Sequence, residues 1–375
     1  MDPVTLDLDA LRPFPDAGDP DRRAHDAADR LLLDESADAR RGLARHEIAV
    51  IGDTFGALAL ACASDAADGV VRVHQDSLGG ERTLTANARS TGLEASVESL
   101  PLDAEVVRGA RVVLVRLPRS LEALRDVAGL IAAHAAPDVV VFAGGRIKHM
   151  SLGMNDVLRE HFDTVDVSHA RQKSRVLIAR GPHGGRDPEP SAARQHIGDT
   201  DVEVRAFGGV FAGATLDIGT RLLLDNLPET IPGQAVDLAC GNGVVGATLA
   251  LRHPGLRVYA SDESAAAVAS ARATAAANGI GDRMTVVRDD ALSTLPDASA
   301  SFIALNPPFH RGAAIDETIA RHLFADAARV LRPGGELWTV WNSALRYRPS
   351  LEKVVGPTRQ IARTPKFTVT ASTRR

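Results

Sequence analysis

The sequence predicts two tandem α/β domains of one construction, each a mostly parallel sheet flanked by helices. Three features carry that expectation. At 375 residues the chain exceeds what one hydrophobic core usually serves. A pattern of short β-branched runs alternating with longer amphipathic stretches occurs twice, which is how parallel strands joined by crossover helices read in sequence. Between the two occurrences lies GPHGGRDPEPSAAR (181–194), where Gly, Pro and charge crowd together without apolar periodicity.

Taken in chain order, an acidic segment comes first. Residues 1–38 hold eleven acidic side chains against four arginines, a balance of −7 that leaves +2 for the rest of a chain whose net charge is −5. This predicts an acidic N-terminal segment over 1–40, a first domain over 41–180, a linker over 181–200 and a second domain over 201–375. Strands are expected at 47–51, 70–74, 111–115, 138–142 and 175–179 in the first domain. In the second they are expected at 234–239, 256–261, 284–288, 301–305, 336–341 and 366–371. The last two strands of each set follow a shorter connection, which suits an antiparallel edge on a parallel sheet. VIGDTFGALALACA (50–63) can be laid against DLACGNGVVGATLA (237–250). The halves therefore read as a duplication in which only the second copy kept a glycine-rich loop.

Composition excludes several classes. No run approaches the ~18 to 20 apolar residues of a membrane span, and the acidic start lacks the basic and apolar stretches of a signal peptide. The expectation is a soluble, cytoplasmic protein with no membrane partner and no obligate protein partner. Cys62 and Cys240 stand far apart inside apolar segments, so neither a disulfide framework nor a metal site is predicted. Of the 43 basic residues 39 are Arg, which reflects Ala- and Arg-rich coding more than phosphate recognition, so arginine alone does not argue for nucleic acid.

Chemistry concentrates in the second half. Asp237-Leu-Ala-Cys-Gly-Asn-Gly243 follows an apolar strand and opens a helix, which puts Gly241 and Gly243 in a turn that a ligand can approach closely. Asp237 closes that strand, available to fix the turn or to meet a ligand's ammonium group. Asp262 ends the next strand about 20 residues beyond the glycine loop, where an acid in a nucleoside-binding α/β fold accepts both ribose hydroxyls; Glu263 is the competing candidate. Asp289 and Asp290 close the third strand, placed to accept from an adenine amino group. Each acid alone is more often a helix cap. Three consecutive strands ending this way outline a nucleoside-shaped crevice.

Asn306-Pro307-Pro308-Phe309 directly follows the fourth strand. An exocyclic amine on a base is a poor nucleophile because its lone pair is delocalised into the ring. The Asn306 side-chain oxygen and the Pro307 carbonyl are two acceptors that orient such an amine, and the prolines stiffen the loop that aims them. Phe309 offers a ring on which a flipped base stacks.

These residues resemble a known family. The second half looks like the Rossmann-like class I S-adenosylmethionine-dependent methyltransferases, and NPPF places it with those acting on amino nitrogens. LDIGTRLLLDNLP (216–228), VDLACGNGVVGATLA (236–250), SDESAAAVASAR (261–272) and LNPPFHRG (305–312) resemble the ribosomal RNA guanine-N2 methyltransferases, the large-subunit (23S) group more closely than the small-subunit (16S) group. The likeness reaches the first half through VIGDTFGALALACA (50–63) and LPRSLEALRDVAGLI (117–131), and continues to TPKFTVTAS (364–372). It implies two tandem Rossmann-like class I methyltransferase domains with the N-terminal one degenerate. It further implies that Gly241 and Gly243 line the methionine side of S-adenosylmethionine, that Asp262 holds its ribose and Asp290 its adenine, and that residues 306 to 309 hold the target base. Asp217 matches a family position near the cofactor's methionine end.

The first copy departs from this pattern. Its loop reads Gly52-Asp-Thr-Phe-Gly56, and Arg116-Leu-Pro-Arg119 stands where NPPF would be, which argues against a second active site. Such a copy still offers a face to RNA. Arg171, Lys173 and Arg175, at alternate positions that a strand would place on one side, form a candidate RNA-contact strip. Two rivals remain: a methyltransferase acting on adenine N6 or a protein glutamine amide, and a non-catalytic RNA-binding assembly factor that keeps the fold.

Overall fold

The computed structural model describes residues 6–13, 23–308 and 317–375. The chain divides into two units, Met1–Glu189 and Pro190–Arg375. Among the described residues no helix is long and apolar enough to cross a membrane.

The first unit runs α1 (Ala27–Arg40), β1 (Ile48–Ile51), α2 (Ala57–Asp65), β2 (Val71–His74), α3 (Leu78–Thr91), β3 (Val97–Ser99), α4 (Ala104–Val107), β4 (Val112–Arg116), α5 (Leu121–His134), β5 (Val140–Arg146), α6 (Leu152–Arg159), β6 (Phe162–Val167) and β7 (Ser174–Pro182). The second runs β8 (Ser191–Ile197), β9 (Thr200–Ala206), α7 (Ile218–Leu224), β10 (Gln234–Leu238), α8 (Val244–Arg252), β11 (Arg257–Asp262), α9 (Ala265–Ala277), β12 (Met284–Arg288), β13 (Ala300–Leu305), α10 (Glu317–Val330), β14 (Leu331–Asn342), α11 (Arg348–Val354), β15 (Thr358–Arg363) and β16 (Phe367–Thr373). The two seven-stranded sheets share one order, β3-β2-β1-β4-β5-β7-β6 and β12-β11-β10-β13-β14-β16-β15. In each, the last two strands of the order are antiparallel to their neighbours and the rest are parallel. Both faces of each sheet are covered. Ala49, Val113 and Val141 pack against α4 to α6, while Val50, Leu114 and Phe142 pack against α1 to α3, so the central strands read as unbroken apolar runs.

Two expected boundaries shift. The acidic segment over 1–40 contains α1, whose Leu31 and Leu32 are fully buried on the first sheet while Asp34, Glu35 and Asp38 face solvent. Gly144 of β5 makes room for it, because a Cβ there would lie 2.6 Å from Leu32. Part of the acidity, Asp34, Glu35 and Asp38, is thus the solvated face of a core helix. Likewise the expected linker over 181–200 starts inside β7, contains all of β8 and ends on the first residue of β9. The β8–β9 ribbon belongs to the second unit because α9 side chains take the backbone donors of β9: Glu203 N to Asn278 Oδ1 at 3.0 Å, Arg205 N to Thr274 Oγ1 at 2.9 Å, and, just beyond the strand, Phe207 N to Ser270 Oγ at 2.9 Å. Val202, Val204 and Ala206 of β9 alternate into the core of this unit, whereas β8 before it is largely exposed and offers no apolar periodicity. The remaining unexpected strands, β3, β6 and β15, are short or polar pieces at the sheet edges.

Candidate active site

In the second sheet the strand order reverses between β10 and β13, which leaves a crevice at their carboxyl ends, the usual ligand position in an open α/β sheet. Leu238 is level with Ser261 and with Leu305, so Ala239, Asp262 and Asn306 leave their row together. Ala239 takes φ +56°, a left-handed conformation that costs a non-glycine residue roughly 1 to 2 kcal/mol. Sequence reading missed it, although Gly52 at the equivalent place in the first copy was the available signal. Gly243, at φ +77°, is required by the close approach of α9, since a Cβ there would meet Ala271 at 2.8 Å. Gly241, at φ +54°, has no described residue within 4 Å of where its Cβ would sit. It is therefore Gly241 that leaves space for a ligand. Asn242 was also unforeseen: its Nδ2 donates to Gly213 O at 2.8 Å and ties the segment before α7 to the glycine loop.

The carboxylates divide by what already occupies them. Asp237 is buried, accepts from Gly246 N in the first turn of α8 at 2.7 Å, and is pushed up to about 8 by burial. It fixes the helix start. Asp289 is 2% exposed and takes bonds from Asp290 N, Ser293 Oγ, Thr294 N and Thr294 Oγ1 at 2.5 to 2.9 Å. The expectation that it meets adenine is corrected by that saturation. Asp290 is half-buried and pairs with His322 Nε2 of α10 at 2.9 Å; this hydrogen bond holds the imidazole above its ordinary pKa. Asp262 accepts from Gly241 N at 2.9 Å and from Ser264 N at 3.0 Å, shaping the loop at the crevice, and Glu263 beside it is exposed. Asp217 caps α7, its Oδ2 accepting from Gly219 N at 2.8 Å and Thr220 N at 3.1 Å.

Asn306 stands at the exit of β13, with Pro307 buried and Pro308 exposed. Its Nδ2 donates to Thr220 Oγ1 at 2.9 Å. Its Oδ1 is buried and has no hydrogen-bond partner among the described residues. An acceptor left in that state costs about 1 to 3 kcal/mol, and such groups in native proteins mark places where a partner arrives. Phe309 lies outside the described residues.

Related proteins share the whole chain. A Streptomyces avermitilis ribosomal RNA large subunit methyltransferase G is 35% identical over 98% of this chain and 98% of its own. One from Shewanella amazonensis is 33% identical over 98% of this chain and 96% of its own. The chain belongs to the ribosomal RNA large subunit methyltransferase G family. Family models agree with the two units, the "RLMG N-terminal domain" matching residues 5–183 and the "Methyltransferase small domain" residues 201–371. A T. thermophilus 16S rRNA N2 methyltransferase, solved with AdoMet and guanosine, has the same fold, with a TM-score of 0.76, 23% identity, and 94% of this chain and 92% of that chain covered.

In the first unit of this family member the corresponding crevice is filled from within. Arg116 holds the position of Asn306, and its guanidinium donates to Asp26 at 2.9 Å and Asp29 at 2.8 Å at the start of α1. Burial pushes Asp26 upward, but the hydrogen bond and charge of Arg116 overcome it and leave about 2. Asp53 is buried, pushed up to about 7 by burial, and caps α2 through Gly56 N and Ala59 N. The proposed strip of Arg171, Lys173 and Arg175 does not share a strand face. Gln172 and Lys173 have φ +47° and +59° and form the tight turn before β7, and Arg171 is bonded to Asp34. Another cationic group lies at the carboxyl edge, where burial and then Arg119, Lys148 and Arg146 hold His149 below its ordinary pKa.

Proposed function

We propose that the second unit transfers a methyl group from S-adenosylmethionine to the exocyclic N2 amine of a guanine in large-subunit ribosomal RNA. The observation that carries this reading is the buried, unpartnered Oδ1 of Asn306 beside an open glycine loop. The residues present fit the cofactor: Gly241 leaves the close approach its methionine part needs, Asp262 stands where a ribose would be held, and Asp290 where an adenine amine would be held. When bound, S-adenosylmethionine supplies an electrophilic methyl group on a sulfonium. Asn306 Oδ1 and the Pro307 carbonyl accept the two amine hydrogens, which turns the nitrogen lone pair out of the ring plane toward the methyl. Neither oxygen is basic enough to keep a proton, so the amine proton leaves to solvent after the N–C bond forms. For the first unit the proposal is an RNA platform, with Arg119, Arg146 and Lys148 in place of the turn residues. Incubating an unmodified 23S rRNA transcript with methyl-labelled S-adenosylmethionine, then digesting it to nucleosides, should place the label in N2-methylguanosine. Label in N6-methyladenosine, or none, refutes the assignment.

A further inference from the structure

We infer that Thr220 is the positioning residue that holds the Asn306 amide by its nitrogen with the oxygen facing the substrate, an inference that rests on the methyl-transfer reading above. A primary amide presents an acceptor to an amine only when its oxygen points inward; rotated by half a turn it presents two donors and repels the amine. Thr220 Oγ1 engages Nδ2 at 2.9 Å and leaves Oδ1 as the buried, unpartnered atom. Thr220 is itself held at both levels. The Asp217 cap fixes its backbone N–H, and the neighbouring Gly219 lets α7 lie against Phe367 of β16, where a Cβ would come within 3.1 Å. The first unit makes the same contact with other residues. Asp217 and Asp26 are the N-caps of α7 and α1, Thr220 and Asp29 stand three residues further on, and Asp29 holds the residue at the end of β4, Arg116, as Thr220 holds Asn306. There the holding group is a carboxylate, which when ionised can only accept, and at Thr220 the hydroxyl oxygen takes the same accepting part toward Asn306.

The test is single-turnover methyl transfer to an unmodified 23S rRNA transcript with enzyme, RNA and S-adenosylmethionine saturating. Thr220→Val, which keeps the shape and removes the acceptor, should slow transfer about tenfold, the scale of one hydrogen bond, while cofactor affinity by calorimetry stays within about twofold. Thr220→Ser should restore the rate to within about threefold. On an Asn306→Ala background Thr220→Val should cost nothing further, since the group it orients is gone. A wild-type rate in Thr220→Val, equal losses in the Val and Ser variants, weakened cofactor binding, or losses that multiply in the double variant each overturn the positioning role. The underlying reading fails separately: if Asn306→Ala keeps the wild-type rate, Asn306 is not at the chemistry at all.

Discussion

The two units carry the same sheet and opposite fates at its carboxyl edge. In the first, Val50, Gln75 and Arg116 stand where the second has Asp237, Asp262 and Asn306, as the registers of β1 and β10 with their neighbours require. Both units still satisfy the same helix donor with a buried carboxylate. Asp53 reaches Ala59 N at 2.7 Å from within the loop, and Asp237 reaches Gly246 N at 2.7 Å from within the strand. What differs is closure. Gln75 Nε2 donates to Asp53 O and Arg116 is clamped by Asp26 and Asp29, so the first crevice spends its polar groups on itself, whereas Asn306 Oδ1 is left waiting. A fold survives loss of its site by converting ligand contacts into internal ones, and a retained site is visible as a contact left unmade.

The sharpest way to break this comparison is to remove the residue at the equivalent position in each unit. Asn306→Ala should slow single-turnover transfer by at least ~100-fold, the scale for one preorganised polar contact, while costing the fold no more than about 1 kcal/mol, because it deletes an acceptor that was already unpaired and only the one hydrogen bond to Thr220 Oγ1. Arg116→Ala should do the reverse. It strands Asp29 in the protein and should destabilise by about 2 kcal/mol, less than for a fully buried pair because Asp26 keeps contact with water, while cofactor affinity is unchanged. A stability loss in the first variant as large as in the second, or a rate loss at full folding in the second, would erase the contrast.

A smaller effect concerns what the units share. Asp237 and Asp53 are pushed up to about 8 and about 7, whereas an aspartate in the unfolded chain ionises near ~4. The folded state then holds the extra proton, so each group makes stability fall as pH rises from about 4 through its folded value. Asp237→Asn keeps an acceptor for Gly246 N and removes that slope. Its denaturant midpoint relative to wild type should rise between pH 4.5 and 8, and that of Asp53→Asn should rise over the narrower window ending near 7. A difference that is flat with pH would contradict the burial argument.

The smallest effect locates RNA. Lys148→Ala should weaken binding of the 23S transcript a few-fold and reduce the salt slope by about one, while Arg171→Ala, with its guanidinium engaged by Asp34, should leave both nearly unchanged. The opposite ranking would return the contact strip to the turn before β7.

The sequence by itself determined the duplication, the strands of both sheets away from their edges, and the adjacency of a glycine loop to NPPF, because apolar period and Gly or Pro punctuation are local signals that backbone sterics and burial write directly into neighbouring residues. The separation of Asp262 from the glycine loop was legible for the same reason. Only the tertiary structure decided which polar groups were spent. Asp289 is saturated, Asp237 caps a helix, α1 belongs to the first core, and the strip at 171–175 is split by a turn. The deciding partners lie far along the chain: Thr220 is 86 residues from Asn306, and Asp26 is 90 from Arg116. A hydrogen bond needs its two groups within about 3 Å in space and sets no condition on their separation in sequence, so no local pattern records whether a buried oxygen has been met or is still waiting.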